Sequence, residues 1–548
     1  MQSLLDTQHS DFDSLVNSFK WGVLSKFNVA NVVCDRHADG SGKLALIAES
    51  ESGEVARYTF DELREQSNQL ANVFKNEGVG ARDRVAVILP QRIETALVHL
   101  AAHKLAAVSL PLSVLFGDDA LLYRLQDSGS NLVVCTAAKA AQLAQLRDQL
   151  PDLKTILVVD PDTHDESLSF WSALRASDNE ISIAQTNAND PAFLLYTSGT
   201  TGPPKGALIA HRSLVGNLTG FELSHNGFPE PGDCVYSPAD WAWTGGLLDA
   251  LMPAWYYGVP VVAFENKKFD VNAILSLMSR HKVTCAFIPP TALKMIRSQD
   301  ELLQTHPSSL RSIMSAGEAV GEELFRWGQE KLGLDINEMC GQTEHNYLMG
   351  NCSKIMDVRP GSMGKAYPGH RVAIMGDDGN LLGTDTPGEL VAHRDDPVHF
   401  LGYWNNPDAT ASKYTGDWFH TGDVAYQDSD GYLWFMGRAD DVISSAGYRI
   451  GPGEIEDCVM KHPSVLQVAA IGVPDPEGIR GDVVKLCIVL RQGFSASDTL
   501  RSDLQTQVRK QLAAYEYPRL IQFFDALPMT TTGKVKRGEL RQQHLLLT

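Results

Sequence analysis

Several things are scarce or missing in this chain, and each absence narrows what it can be. Its eight cysteines, at positions 34, 135, 234, 285, 340, 352, 458 and 487, never form a C-x-x-C pair, so neither a zinc cluster nor a disulfide framework is indicated. The most apolar window, residues 247–264, is broken by Asp249, Pro253, Gly258 and Pro260, which makes it a poor membrane span. The first ten residues carry no basic n-region, no sustained apolar core and no arginine-rich presequence pattern, and the expectation is a cytoplasmic protein without membrane attachment. Positive charge is in deficit: 47 Lys+Arg against 67 Asp+Glu give a net charge of −20. General nucleic-acid binding is therefore disfavoured, while a local basic pocket for an anionic cofactor stays open. No G-x-S-x-G occurs, which disfavours a serine hydrolase, and no internal repeat or low-complexity tract is present.

What is there begins with Tyr196-Thr-Ser-Gly-Thr-Thr-Gly-Pro-Pro-Lys-Gly206, a polar loop between two short apolar runs that read as strands. Gly199 and Gly202 let main-chain N–H groups approach an anion closely, Ser198, Thr200 and Thr201 add hydroxyl donors, and Lys205 adds a point charge. The stretch suits a polyphosphate. It is not a Walker loop, because Lys205 is followed by Gly206 rather than by Ser or Thr. Taken alone, a surface linker has the same composition.

At 548 residues the chain predicts two to four domains. From residue 83 apolar runs alternate with helical patterns: strands at 83–90, 106–112 and 131–136 with helices near 93–105 and 119–127, then strands at 259–264, 284–288 and 311–316 with helices near 270–281 and 319–332. That rhythm predicts an α/β protein with two wound layers of mostly parallel strands. Beyond about residue 360 short strands and Asp-Gly turns predict antiparallel hairpins, and the last hundred or so residues predict a small α+β domain with strands at 465–473 and 482–490 and a helix near 498–513.

Four more constellations carry chemistry. In Cys340-Gly-Gln-Thr-Glu344, after the strand-like run 335–339, Gln342, Thr343 and Glu344 stand at a strand end where an open sheet binds ligands, and Glu344 is the candidate to hold Mg²⁺ beside a triphosphate. In His420-Thr-Gly-Asp423 and Gly437-Arg-Ala-Asp-Asp441, Asp423 can accept two ribose hydroxyls and Arg438 can donate to the same sugar. Ser444-Ser-Ala-Gly-Tyr-Arg-Ile-Gly-Pro452 offers Gly447 for the close approach of a second chain or a thin ligand arm, or simply forms a tight hairpin. Thr530-Thr-Thr-Gly-Lys534 reads on its own as a basic tail.

In this order the motifs resemble the core set of the adenylate-forming superfamily, over about residues 58 to 541. Gly447 to Pro452 together with Gly341 to Glu344 are most similar to acetyl- and medium-chain acyl-CoA synthetases. The resemblance implies an AMP-binding portion, residues 1–439, with a β-rich subdomain at about 360–436, followed by a mobile lid, residues 440–548, hinged at Asp440. It implies an AMP-forming carboxylate:CoA ligase that uses ATP, Mg²⁺ and coenzyme A on a short- to medium-chain acid, branched or aromatic acids included. A homodimer is left open.

By the same resemblance Lys534 bridges carboxylate and α-phosphate, Thr197 and Glu344 serve the metal, and Gly317 and Glu318 meet the adenine. Ala446, Gly447, Tyr448, Arg449 and Arg480 meet CoA. Trp241, Trp243 and Gly341 line the acyl pocket, although core packing accounts equally well for either tryptophan. Two departures stand out: Cys340 replaces the usual aromatic residue, and His345-Asn346 replaces a Thr-Gly-like pair beside the acyl group. A free-standing enzyme that loads a carrier protein and a nucleotide-binding protein without turnover remain as alternatives, and acylation of Lys534 is a conceivable control.

Overall fold

A computed structural model describes residues 3–7, 11–22, 25–160, 168–197, 203–265, 268–439, 441–445, 448–476, 482–512, 516–530 and 534–547. The chain packs as two compact units, Met1–Arg371 with His393–Asp417, and Val372–Ala392 with Trp418–Thr548.

The first unit contains two large sheets with parallel centres, the first antiparallel at one edge and the second at both. One has eight strands and runs from Gly402–Tyr403 through Lys205–Ala210, Pro191–Thr197 and Val108–Pro111 to Arg84–Ile88, with Leu132–Cys135, Thr155–Val158 and Leu168–Ser169 beyond. Its central strands are buried along their whole length, as strands covered by helices on both faces must be. The other has nine strands, among them Val261–Phe264, Cys285–Phe287, Ser312–Ala316, Ile336–Gln342 and His345–Gly350.

Helix ends follow local chemistry. Thr59 and Glu62 form a reciprocal capping box at the start of Phe60–Asn76, whose apolar stripe of Leu63, Leu70, Val73 and Phe74 is buried. The helices Ile93–Lys104 and Ser213–Ser224 are buried on every side, so each lies inside the unit rather than on its surface. The helix expected near 319–332 is shorter. Gly321 at φ +74° starts it, and after Trp327 it widens into a π turn over Gly328–Leu332. The apolar window at 247–264 folds as a π turn, Leu247–Leu251, a short helix, Met252–Tyr256, and the strand Val261–Phe264. Among the described residues no helix is long and apolar enough to cross a membrane.

In the second unit the strands Val372–Met375, Gly388–His393, Trp418–Gln427 and Leu433–Arg438 are neighbours in one sheet, and the last two form the hairpin expected around Asp430-Gly431. A small hairpin of Ile443–Ser445 and Tyr448–Ile450 follows. The rest is a three-stranded sheet of Val465–Pro474, Asp482–Leu490 and Leu520–Phe524. The helices Pro452–Met460 and Asp498–Gln511 pack over its apolar face. Arg537, opening the final helix Arg537–Leu547, holds the buried Glu456 with bonds of 2.8 Å.

Candidate active site

In the first unit, Thr197 ends a strand that runs parallel to Val108–Pro111, and Ala316 and Gln342 end or nearly end adjacent parallel strands of the other sheet. These are carboxyl ends, where open α/β sheets bind ligands. Ser198, Gly199, Thr200, Thr201 and Gly202 lie outside the described residues, but both strands that hold their loop are present. Thr197 pairs with Lys205 across an antiparallel ladder, and its hydroxyl lies 3.4 Å from the Lys205 carbonyl oxygen.

Lys205 leads to a residue that no motif announced. Its ammonium stands 5.3 Å from the ring centre of Tyr403, and the Tyr403 hydroxyl donates to Glu344 Oε1 at 2.7 Å. Tyr403 reaches that position because Gly402–Tyr403 pairs with Lys205–Ala210 and Trp404 N–H donates to the Gly206 carbonyl at 2.7 Å. Glycine at 206 eases this close pairing, since a Cβ would come within 2.8 Å of Leu194 Cδ1 and 3.3 Å of Trp404 Cβ. The main chain of Glu344 is held as well, its carbonyl accepting from Phe400 N–H at 3.0 Å.

Gln342, Thr343 and Glu344 form the tip of a tight hairpin between Ile336–Gln342 and His345–Gly350. Gly341 serves this hairpin by allowing close packing: a Cβ on it would meet Tyr347 N at 2.7 Å. Thr343 Oγ1 lies 3.4 Å from Thr244 Oγ1, which sets the hairpin tip beside the start of the helical segment after Trp243. One strand away, Gly317 has φ +93° with open space about it, a conformation that suits glycine, and the Glu318 carboxylate accepts from Thr291 Oγ1 at 3.2 Å. Trp241 is 1% exposed and Trp243 half-buried, edge-on to Phe116 with ring centres 5.9 Å apart.

The structure explains the unusual pair after Glu344. The buried His345 ring is bonded to His399, and His399 in turn to the Tyr414 hydroxyl. Burial holds both imidazoles neutral, driving His345 well below the usual range and His399 down to about 3. They clamp the segment that carries Phe400 and Tyr403 onto the hairpin that carries Glu344. Asn346 donates its amide to the buried carboxyl group of Asp249. Cys340 is half-buried, whereas the other seven cysteines are buried free thiols.

In the second unit Asp423 and Arg438 face each other across a hairpin and pair at 2.9 Å. Gly422, at φ +79°, leaves room for the guanidinium, which a Cβ would approach to 2.7 Å. Lys534 is exposed; its N–H donates to Thr530 Oγ1 at 3.0 Å and its carbonyl accepts from Thr530 N–H at 2.7 Å. Tyr448 and Arg449 belong to the strand Tyr448–Ile450. Asp440, Ala446, Gly447 and Arg480 lie outside the described residues.

Glu344 suits a hard divalent cation. Its carboxylate is half-buried, one oxygen is oriented by a neutral phenol, and among the described residues no Lys, Arg or His pairs with it. One such carboxylate matches the few protein ligands Mg²⁺ takes when phosphates and water complete its shell. Among the described residues no group of three or more His, Cys, Asp and Glu could hold a metal.

Residues 34–404 match the family model described as AMP-binding enzyme, and residues 454–534 that of the AMP-binding enzyme C-terminal domain. The mitochondrial acyl-coenzyme A synthetase ACSM4 of Rattus norvegicus is 34% identical over 97% of this chain and 93% of its own length. The acetyl-coenzyme A synthetase of Bacillus subtilis is 32% identical over 98% and 94%. Among solved structures, Brucella canis acyl-CoA synthetase has a TM-score of 0.76 at 31% identity, covering 98% of this chain and 99% of that one. The anthranilate CoA ligase AuaEII in complex with anthranoyl-AMP has a TM-score of 0.87 at 28% identity, covering 96% and 98%. The chain belongs to the AMP-binding, adenylate-forming enzyme family. Within it, the protein is an ATP-dependent acid–thiol ligase, an AMP-forming acyl-CoA synthetase acting on a small carboxylic acid, ATP and CoA.

Proposed function

We propose that this ligase activates a short- to medium-chain carboxylic acid, branched and aromatic acids included, by way of an acyl-adenylate. One carboxylate oxygen attacks the α-phosphorus of ATP, the bond to the β-phosphate oxygen breaks, and pyrophosphate leaves. The CoA thiolate then attacks the mixed anhydride at carbon, the C–O bond to phosphate breaks, and AMP departs. No protein base is needed to prepare a substrate that is already a carboxylate. The observation that carries this reading is the line from Lys205 through the Tyr403 ring and hydroxyl to Glu344. It holds an ammonium and an oriented carboxylate beside the strand ends of Thr197 and Gln342.

Mg²⁺, held by Glu344 and Thr197, would neutralise charge on the phosphates. Lys534 would donate to the carboxylate and α-phosphate oxygens as charge builds there, which such a placed charge favours by on the order of 10²–10⁴ in rate. In this reading Asp423 and Arg438 hold the ribose, and Gly317 and Glu318 stand by the adenine. Ala446, Gly447, Tyr448, Arg449 and Arg480 serve CoA, and Trp241, Trp243 and Gly341 border the acyl chain. Residues 440–548, which carry Lys534, turn about Asp440 between half-reactions, and residues 1–439 form the other working domain.

A cytoplasmic homodimer completes the reading, tested by cell fractionation and by sedimentation of the purified enzyme. AMP release in the presence of CoA, measured over straight, branched and aromatic acids of increasing size, tests the substrate class. Turnover confined to long-chain acids would overturn it.

A further inference from the structure

Asp249 is a buried acid that neither the motifs nor the ligation chemistry uses. It lies in the π turn Leu247–Leu251, is 4% exposed, and sits among the buried Leu248, Leu251 and Met252. Among the described residues its carboxyl group takes a single hydrogen bond, from the Asn346 side-chain nitrogen. Its main-chain carbonyl accepts from the Tyr347 hydroxyl at 3.2 Å. A carboxyl group in such surroundings is costly unless its oxygens are satisfied, and one donor leaves it short of partners. Burial pushes its pKa up to about 7, with the Asn346 bond pulling the other way.

The location of this pair matters as much as its burial. Asn346 is two residues past Glu344, and a Cβ on Gly341 would sit 3.1 Å from the Asn346 Cα. Thr244, five residues before Asp249, has its hydroxyl 3.4 Å from that of Thr343. The hairpin is irregular at this level: its register shifts between Cys340 and Gln342, and Tyr347 takes φ +50°, a left-handed conformation that costs a tyrosine energy. Bulges and π turns of this kind re-aim side chains next to sites. Asp249 and Asn346 thus form the layer directly behind the turn that bears Glu344, on the side of Trp243 and Thr244.

We propose that Asp249, steadied by Asn346, determines acyl specificity, and that the preferred acid carries a hydrogen-bond donor, a hydroxyl or amino group, on its tail. The inference rests on the ligase reading above. Either protonation state of Asp249 can accept from such a donor, whereas a plain hydrocarbon tail would dry the carboxyl group without satisfying it. Sites built to bond a substrate hydroxyl or amine reject the analogue that lacks it far more strongly than apolar pockets reject a missing methylene.

The test is pyrophosphate exchange by the full-length enzyme with acids matched in carbon skeleton: hexanoate and benzoate against hydroxylated and aminated derivatives, with the substituent moved along the tail or ring. The expected result is a kcat/KM for at least one donor-bearing acid about 10- to 150-fold above its parent, the range of one hydrogen bond to a charged group. Asp249→Leu should abolish or invert that ratio. Asp249→Asn, close in shape and retaining an acceptor, should keep a preference for hydroxyl over hydrogen and lose the preference for amine, which keeps the test readable if the leucine variant does not fold. Parent acids that match or exceed every donor-bearing derivative, or a ratio untouched in both variants, would overturn the proposal and leave the ligase reading standing. Exchange with no acid of this panel, nor with acetate, propionate or butyrate, would instead refute the ligase reading, and the assignment of Asp249 with it.

Discussion

Replacing Tyr403 with phenylalanine isolates the least expected element of the site. The change removes the hydroxyl that donates to Glu344 Oε1 at 2.7 Å and leaves the ring on which the Lys205 ammonium rests at 5.3 Å. Hydrogen bonds to an ionised partner contribute about 1.5–3 kcal/mol. Because Glu344 is half-buried and partly hydrated, the lower end applies, and about 1.4 kcal/mol corresponds to roughly tenfold in an equilibrium constant. If Tyr403 orients Glu344 for Mg²⁺, the half-saturating Mg²⁺ concentration in pyrophosphate exchange should rise about tenfold at fixed ATP. The KM for the acid should stay where it was. Tyr403→Leu also removes the ring beneath Lys205, worth about 0.5–1 kcal/mol near the surface, and should add a two- to fivefold rise in the KM for ATP. An unchanged Mg²⁺ dependence in Tyr403→Phe, or a loss that persists unaltered at saturating Mg²⁺, would refute the reasoning.

Three further outcomes follow from the geometry. Lys534→Ala should lower adenylation by on the order of 10²–10⁴ while sparing thioester formation from supplied acyl-AMP, and equal loss of both steps would argue against a lysine that serves one half-reaction. Glu222 is buried beneath donors from the Ser3 hydroxyl, the Leu4 and Leu5 N–H groups and the Tyr257 hydroxyl. Burial pushes its pKa up to about 7 against the pull of those donors. A folded pKa above the unfolded one, about 4.3, means stability that is present at low pH and lost as pH rises toward 7. The melting temperature of the wild type relative to Glu222→Gln should therefore fall across that window and level off above it. A difference that stays flat or rises would contradict the assignment. Gly220→Ala would bring a Cβ within 2.5 Å of Tyr347 Cδ1 and should destabilise the enzyme by about 1–3 kcal/mol in urea titration. A midpoint equal to wild type would show that the helix Ser213–Ser224 can shift.

Much of the architecture was readable from local pattern. Buried parallel strands such as Leu132–Cys135 are continuous apolar runs, and turn residues such as Asp430-Gly431 mark a hairpin because only a few residue types suit those dihedrals. The helix expected at 319–332 ended early and widened at a place where tertiary packing is tight: a Cβ on Gly328 would come within 3.0 Å of the Ile336 side chain. The motif residues Thr197, Gly317 and Gln342 stand at or just past the carboxyl ends of strands, the ends at which wound sheets leave a crevice, and Lys205 and Glu344 meet the same tyrosine, Tyr403.

The partners of those residues left no such trace. Tyr403 lies 59 positions from Glu344, His399 lies 54 from His345, and Asp249 lies 97 from Asn346. Each of the three reads locally as an ordinary residue of a loop or an apolar helix. From its sequence the chain shows its layers and, through its motifs, the class of reaction, because glycines, hydroxyl residues and apolar periodicity act within a few neighbouring residues. Which phenol orients the carboxylate, why histidine and asparagine follow it, and which buried acid that asparagine bonds were decided by the tertiary structure. Hydrogen bonds and burial join residues that are close in space, whatever their separation along the chain.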